Sequence, residues 1–283
     1  MSQPNCEIVN TSNQTKSPSQ RVWEVDFLRG FLILFVIFDH MMFNLWYFCQ
    51  DASTAMFSWL CSVANAYYNQ QTTLGALQYA THNGFVMAFV FVAGISSNLS
   101  ASNLKRAIRL SAVALLLTAV TSALSQIVYL PLEINFNVIH VLAICCFVYY
   151  FVQLLQARLS VKAAKAVDVL LLVIFVLLAV VGYYFMARPL QDGGALVVLV
   201  NCGNSTKFSP ADYLPLLPAL SYFVVGALTG KVLYADKQSL LGSQPRFVKP
   251  ITWCGARSLY VYLASQVAMF TFFYVFTQLL PIL

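Results

Sequence analysis

The 283-residue chain is 60% hydrophobic and only 9% charged, and its mean hydropathy is +0.74. Soluble globular domains carry about 25% charged residues, so this composition excludes a soluble domain. The apolar runs are long and continuous rather than ten-residue alternating segments, which excludes a β-barrel. The net charge of +6 comes from basic residues at the ends of the apolar runs, and it therefore indicates membrane topology rather than nucleic-acid binding. The sequence predicts an all-α, polytopic integral membrane helical bundle.

Residues 1–20 are rich in Ser, Asn and Gln and lack the apolar core of a cleavable signal peptide. We expect them to form a disordered polar tail, followed by one transmembrane domain over residues 21–283. Apolar stretches of about 20 residues predict about seven spans. These spans are 22–48, 83–101, 106–130, 136–156, 167–187, 212–234 and 255–280. Polar residues interrupt the segment 52–80, which therefore predicts an interfacial or re-entrant helix on the outer face.

Basic residues alternate along the predicted connections. The connections 49–82 and 131–135 contain no Lys or Arg, and 188–211 contains only Arg188 and Lys207. The other side collects Arg21, Lys105, Arg106, Arg158, Lys162, Lys165, Lys231, Lys237, Arg246 and Lys249. By the positive-inside rule we expect a cytoplasmic N-terminus and an outside C-terminus.

The first predicted span carries several polar groups on one face. Charged groups in a membrane helix are costly unless they face the bundle interior or water, so they indicate a functional site. At about 100° per residue, one sector of about 60° contains four of them. These are Asp26, Arg29, His40 and Asn44, whereas Asp39 points about 100° away from His40.

The three histidines of the chain, His40, His82 and His140, all fall toward the outer leaflet of this topology. Histidine is the usual general base near neutral pH. For each, the alternative is a hydrogen bond across helices that stabilises the bundle, and His82 lies at a span boundary where solvation explains it. No two histidines stand at i, i+3 or i+4, so we expect no metal site.

Cationic and hydroxyl side chains gather on the opposite side. Arg29 either pairs with Asp26 as a structural bridge or binds a phosphate, which suits a guanidinium at a helix start. Lys105, Arg106, Arg109 and Arg257-Ser258 would join it there. The segment Gly94-Ile-Ser96-Ser97 is either a close helix contact or a turn that lines a ligand.

Two cysteine groups have different interpretations. Cys145 and Cys146 lie in an apolar run and are expected to serve packing. Cys49, Cys61 and Cys202 share one predicted membrane face, so a disulfide among them is compatible with the sequence.

Five motifs in this order and spacing resemble a transmembrane acyltransferase family, the one that includes the heparan-α-glucosaminide N-acetyltransferase catalytic domain and its bacterial relatives. The resemblance covers nearly the whole chain from Arg21. Its parts are Val25-Asp26-Phe-Leu-Arg29-Gly30 followed by His40, then Phe89–Ser97, Ile134–His140, Asp212-Tyr-Leu-Pro215-Leu-Leu-Pro218, and Gly255-Ala-Arg257-Ser258-Leu-Tyr-Val-Tyr262-Leu.

The resemblance implies an enzyme that moves an acetyl group from cytoplasmic acetyl-CoA to an amino sugar or glycan on the outer face. His40 would act as a base or carry the acetyl group itself, and Asn44 or His140 would orient it or steady the oxyanion. The expected acetyl-CoA contacts are Asp26, Arg29, Ser96, Ser97, Arg106, Arg257 and Ser258.

The remaining expectations concern location and partners. The protein would be a multi-pass protein of the lipid bilayer, in the cytoplasmic membrane if its host is bacterial. A homodimer is compatible with the sequence, and nucleic acid is not an expected partner. The alternative functions are a transporter or flippase of a small anionic or glycan substrate, or a membrane sensor, because polar helix faces around a cavity fit each of these.

Overall fold

A computed structural model describes residues 21–51, 58–128, 133–190, 196, 198–201 and 212–279. The predicted tail over residues 1–20 and Cys202 lie outside the described residues. Within the described part the chain forms helices and no strand. The helices are α1 (Trp23–Asp51), α2 (Ser58–Tyr68), α3 (Thr73–Leu99), α4 (Asn103–Val128), α5 (Val138–Gln156), α6 (Val161–Ala187), α7 (Leu216–Leu233), α8 (Lys249–Ala256) and α9 (Ser258–Leu279).

Seven of these helices are long and apolar enough to cross a membrane, namely α1, α3, α4, α5, α6, α7 and α9. The prediction of a polytopic helical membrane bundle is therefore confirmed. The 11 residues of α2 extend only about 17 Å at 1.5 Å per residue, too short for a bilayer core of about 30 Å. It lies in the segment where the sequence predicted a helix that does not span.

Several predicted boundaries differ from the structure. The helix predicted over 167–187 begins at Val161, and the one predicted over 212–234 begins at Leu216. The second span begins at Thr73 instead of residue 83, because the Thr72 hydroxyl caps the helix by accepting the backbone N–H of Gly75 at 3.0 Å. The predicted span 255–280 is two helices, since the backbone breaks at Arg257 between α8 and α9. The break places Arg257 and Ser258 beside the start of α1.

Close backbone contact holds α1 against α8. A Cβ atom on Gly30 would collide with the backbone oxygen of Ile251, and one on Gly255 would collide with the backbone oxygen of Asp26. Glycine lets these two helices approach because it has no side chain. The crossing brings the charged start of α1 next to the start of α9.

A similar contact joins α3 to α7, where a Cβ on Gly94 would collide with the backbone oxygen of Phe223. Of the two interpretations of Gly94-Ile-Ser96-Ser97, the structure therefore supports the close helix contact at Gly94. The buried core lies around this pair of helices and α5, and its side chains include Val90, Tyr149 and Phe223.

A disulfide between Cys49 and Cys61 ties the end of α1 to the start of α2. It selects one of the pairings that the sequence left open. Cys145 and Cys146 are buried and reduced within α5, in agreement with the expected packing role.

Candidate functional site

Two cavities lie one after the other along α1 and share part of their lining. The first, of about 540 Å³, has a lining that includes Arg29, and the second, of about 280 Å³, has a lining that includes His40. We call them the cationic cavity and the histidine cavity. Four residues line both, namely Ile33, Phe89, Val138 and Tyr262. Arg29 and His40 are 11 positions apart on α1, which corresponds to about 17 Å along the helix.

The cationic cavity has a strong excess of positive charge. Seven basic side chains line it: Arg21, Arg29, Lys105, Arg106, Arg109, Lys237 and Arg257. Asp26 is the single carboxylate among the described residues that line it. Such a concentration of cations attracts an anion carrying several charges.

Arg29 is the best-positioned of these cations. Its Nη2 donates to the Ser258 hydroxyl at 2.8 Å, and its Nη1 lies 3.7 Å from Asp26 Oδ1. Its Nε is buried and has no hydrogen-bond partner among the described residues. A buried guanidinium N–H without an acceptor is costly, so this atom is available to an anion.

The other predicted donor-side residues are distributed around the same cavity, except Ser97. Arg106 Nη1 donates to the backbone oxygen of Ala93 at 3.3 Å, and Arg257 lies 4.9 Å over the Trp253 ring. Ser96 lines the cavity but donates to its own helix, to Val92 O at 2.9 Å. Ser97 donates to Gly94 O at 2.6 Å and is not part of the lining.

His40 presents one ring nitrogen to the histidine cavity. Its Nδ1 lies 2.8 Å from Val36 O, and because a carbonyl only accepts, this nitrogen carries the proton. Its Nε2 lies 3.5 Å from Asp212 Oδ1. Nε2 faces the Asp212 carboxylate, which only accepts hydrogen bonds, so proton transfer or acylation at this nitrogen would require that its own proton leave first.

Asp212 organises the wall around His40. Its Oδ2 accepts the Tyr262 hydroxyl at 2.7 Å and the Asn137 amide at 3.3 Å. Its backbone is in the left-handed region, with φ at 55°, which Asp tolerates better than most residues.

Asp212 lies ahead of α7, outside that span. Burial alone would raise the pKa of the Asp212 carboxyl, but the hydrogen bonds and charge of His40, with the bonds from Tyr262 and Asn137, hold that pKa below its usual range. Asp212 is therefore a carboxylate beside His40.

Asn44 and His140 line neither cavity. The Asn44 amide donates to the backbone oxygen of His40 at 2.7 Å, within α1. His140 completes the capping box at the start of α5 with Asn137, and its Nε2 lies 3.1 Å from the Thr118 hydroxyl. Their catalytic roles stay predictions, and the geometry gives both residues a supporting position behind His40 and Asp212.

A second histidine–carboxylate pair lies in the histidine cavity. His82 Nδ1 is 3.1 Å from Asp39 Oδ2. The other oxygen of Asp39 accepts the Tyr67 hydroxyl at 2.9 Å and the Gln78 amide at 3.1 Å. The buried Asp39 thus joins α1 to α2 and α3.

Four residues of the histidine cavity were absent from the sequence-based set of site residues: Asp39, His82, Asp212 and Tyr262. Tyr262 stands four positions after Ser258 on the final helix, so the two share a face, and this spacing was a usable signal. Asp212 precedes a Pro-containing apolar run, and the contact with His40 spans 172 positions, which no local pattern reveals.

No group of three or more His, Cys, Asp or Glu side chains that could hold a metal ion occurs among the described residues. In comparison with known proteins, the family model described as "Heparan-alpha-glucosaminide N-acetyltransferase, catalytic" matches residues 21–267. That range contains every residue named in the two cavities. No curated protein and no solved structure matches the sequence.

Proposed function

The chain belongs to the heparan-α-glucosaminide N-acetyltransferase catalytic family, a family of membrane acetyltransferases, and we propose that it moves an acetyl group from acetyl-CoA to an amino sugar. The cationic cavity would hold the donor and the histidine cavity the acceptor. The observation that carries this proposal is that the two cavities are adjacent and share the side chains of Ile33, Phe89, Val138 and Tyr262, so only these side chains would lie between a donor held at Arg29 and His40.

The donor fits the cationic cavity by charge. Coenzyme A carries a pyrophosphate and a further phosphate at one end and the thiol at the other. Phosphate oxygens accept well from guanidinium groups, and the buried Nε of Arg29 lacks an acceptor. The pantetheine arm would pass the apolar side chains of Ile33, Phe89 and Val138 and present the thioester near His40.

Two routes are compatible with this arrangement. In the direct route, the acceptor nitrogen attacks the thioester carbonyl while His40 Nε2 takes its proton, and the departing thiolate recovers that proton. In the two-step route, His40 Nε2 attacks, the thiolate leaves, and the acceptor then takes the acetyl group from the imidazole. In either route Asp212 would compensate the positive charge that forms on the ring.

Sidedness has two independent supports. The basic connections follow the positive-inside pattern, which supports a cytoplasmic position for the cationic cavity. The Cys49–Cys61 disulfide lies at the other end of α1, and disulfides persist in oxidising compartments outside the cytoplasm. We therefore assign acetyl-CoA to the cytoplasmic side and the acceptor to the opposite side.

The test uses purified protein in lipid nanodiscs with radiolabelled acetyl-CoA and glucosamine. Arg29→Gln should weaken acetyl-CoA binding at least about 10-fold, since a hydrogen bond to a charged group contributes about 1.5–3 kcal/mol. Arg188→Gln is the matched control, because Arg188 lies over the Tyr184 ring and lines neither cavity.

His40→Asn should keep acetyl-CoA binding and lose transfer, because Asn offers a donor to Val36 O but no base or nucleophile. Absence of both binding and transfer in the unaltered protein would overturn the proposal. Passage of intact acetyl-CoA across the bilayer, with no transfer, would indicate a transporter instead.

A further inference from the structure

We propose that the pair of His82 and Asp39 is a second proton acceptor in the histidine cavity, and that the acceptor binds there as a protonated amine. This inference rests on the proposed acetyl transfer and adds a second proton acceptor to it, for an amine that arrives protonated. The carrying observation is that two histidine–carboxylate pairs line one cavity of about 280 Å³.

The geometry fixes the tautomer of His82. A carboxylate only accepts hydrogen bonds, so the proton between His82 and Asp39 belongs to His82 Nδ1. Asp39 cannot turn away, because the Tyr67 hydroxyl and the Gln78 amide hold its other oxygen. The Nε2 of His82 makes no hydrogen bond to any residue that the structure describes. An imidazole oriented by a carboxylate through Nδ1, with Nε2 open, is the arrangement of a general base.

His82 is also the more exposed of the two histidines. Its side chain is 40% exposed, whereas that of His40 is 20% exposed. In the proposed mechanism a proton taken by His82 leaves the cavity, while one taken by His40 is retained for the thiolate.

The charges around His82 favour a cation. Besides His82, the titratable groups that face the cavity are Asp39 and His40 on α1, Tyr79 on α3, Asp212 and Tyr213 ahead of α7, and Tyr262 on α9. Tyr67 of α2 contacts Asp39 from the other side. Of the described residues in this lining, none is Lys or Arg. Two carboxylates in a partly enclosed space attract an ammonium group, in contrast to the cationic cavity on the other side of the wall.

A substrate that binds as an ammonium ion must lose two protons, so the site needs a second proton acceptor. An ammonium ion and acetyl-CoA yield an amide, the free thiol of CoA and one proton, so two protons leave the nitrogen and one of them ends on sulfur. His82 Nε2 would take the first proton, which frees the nitrogen lone pair for attack on the carbonyl carbon. His40 would take the second as the C–N bond forms and return it to sulfur as the C–S bond breaks.

A hydroxyl acceptor would not need this pair. The alcohol loses one proton, which passes through His40 to the thiolate, and no proton is released. A second oriented histidine in the same cavity would then have no proton to accept. The presence of the pair of His82 and Asp39 therefore favours transfer to nitrogen over transfer to oxygen.

The test compares His82→Gln with the unaltered protein on two acceptors, glucosamine, which is largely protonated below neutral pH, and an arylamine, which is uncharged there. With glucosamine near pH 6.5, we expect kcat/KM of the variant to fall about 100-fold, the usual range for a lost general base. The loss should diminish as the pH is raised and the free amine accumulates. With the arylamine, the variant should match the unaltered protein, which also shows that the variant is folded.

The outcomes separate the two proposals. If the unaltered protein acetylates neither acceptor, the acetyltransferase proposal itself fails. If it acetylates glucosamine and the variant loses activity equally on both acceptors, or on neither, His82 is not the acceptor of the ammonium proton. Faster transfer to a sugar hydroxyl than to the amine, unaffected by His82→Gln, would also overturn the inference.

Discussion

The contact between Asp212 and His40 predicts a large effect of Asp212→Asn on turnover. The substitution keeps the shape of the side chain and its capacity to accept the Tyr262 hydroxyl, but it removes the charge 3.5 Å from His40 Nε2. At that distance Coulomb's law gives between about 1 kcal/mol at a dielectric of 80 and about 5 kcal/mol at 20. Both side chains are partly exposed to the cavity, so we expect an intermediate value. The variant should lose about 3 kcal/mol of transition-state stabilisation, which corresponds to a rate about 100-fold lower.

The assay measures kcat and the KM for acetyl-CoA with glucosamine at saturation. Asp212→Asn should lower kcat about 100-fold and leave the KM for acetyl-CoA nearly unchanged, because Asp212 does not line the cationic cavity. Asp168→Asn is the matched control, since Asp168 pairs with Lys231 at 2.7 Å and lines neither cavity. A kcat within about threefold of the unaltered protein, or an effect confined to acetyl-CoA binding, would refute the role of Asp212.

Three further predictions concern the supporting structure. Gly255→Ala should separate α1 from α8 and so lower both Tm and the affinity for acetyl-CoA. Gly84→Ala is the control and should change neither, because nothing lies within 4 Å of the position that its Cβ would take. Equal Tm values for the two variants would contradict the close contact. Cys49→Ser should lower the free energy of unfolding by about 3 kcal/mol, the value expected for a disulfide between cysteines 12 positions apart. The variant should also lose any effect of a reductant on Tm. An unchanged Tm would be inconsistent with the disulfide. His140→Gln should lower the free energy of unfolding by about 1 kcal/mol, because it removes part of the cap at the start of α5, and should change kcat little. A kcat about 100-fold lower would instead support the catalytic role predicted from the sequence.

The helical spans were predictable because hydropathy depends on composition over about 20 residues. The prediction was weakest at the start of α3. There Gln78, His82 and Asn83 lower the hydropathy of a helix that begins at Thr73. His82 and Asn83 line the histidine cavity, and Gln78 bonds to Asp39. Hydropathy counts such residues as outside the membrane, although they face the interior of the bundle.

The division of α1 between two cavities was also accessible from the sequence. Helical spacing placed Asp26, Arg29, His40 and Asn44 on one face. In the structure the first three line a cavity, whereas Asn44 lines neither. The same spacing placed Asp39 on a different face of α1 from His40. Asp39 nevertheless lines the histidine cavity, where it contacts His82. One helix wheel describes one helix and cannot show which neighbour approaches from the side.

The partners of His40 were not predictable for a related reason. Asp212 reaches His40 from a segment that is held beside the start of α5, where Leu214 N–H donates to Phe136 O at 3.2 Å. Such a contact depends on tertiary packing of distant segments. Conversely, the polar surroundings of His140 suggested a reactive site, but Asn137 and His140 cap one another at a helix start.

The central claim is that the acetyl group crosses between the two cavities, from one side of the membrane to the other. Sealed proteoliposomes of known protein orientation test it with radiolabelled acetyl-CoA on one side and membrane-impermeant glucosamine on the other. We predict labelled N-acetylglucosamine only when acetyl-CoA is on the side of Arg29 and glucosamine is on the side of the Cys49–Cys61 disulfide. Transfer that requires both substrates on the same side would contradict the account.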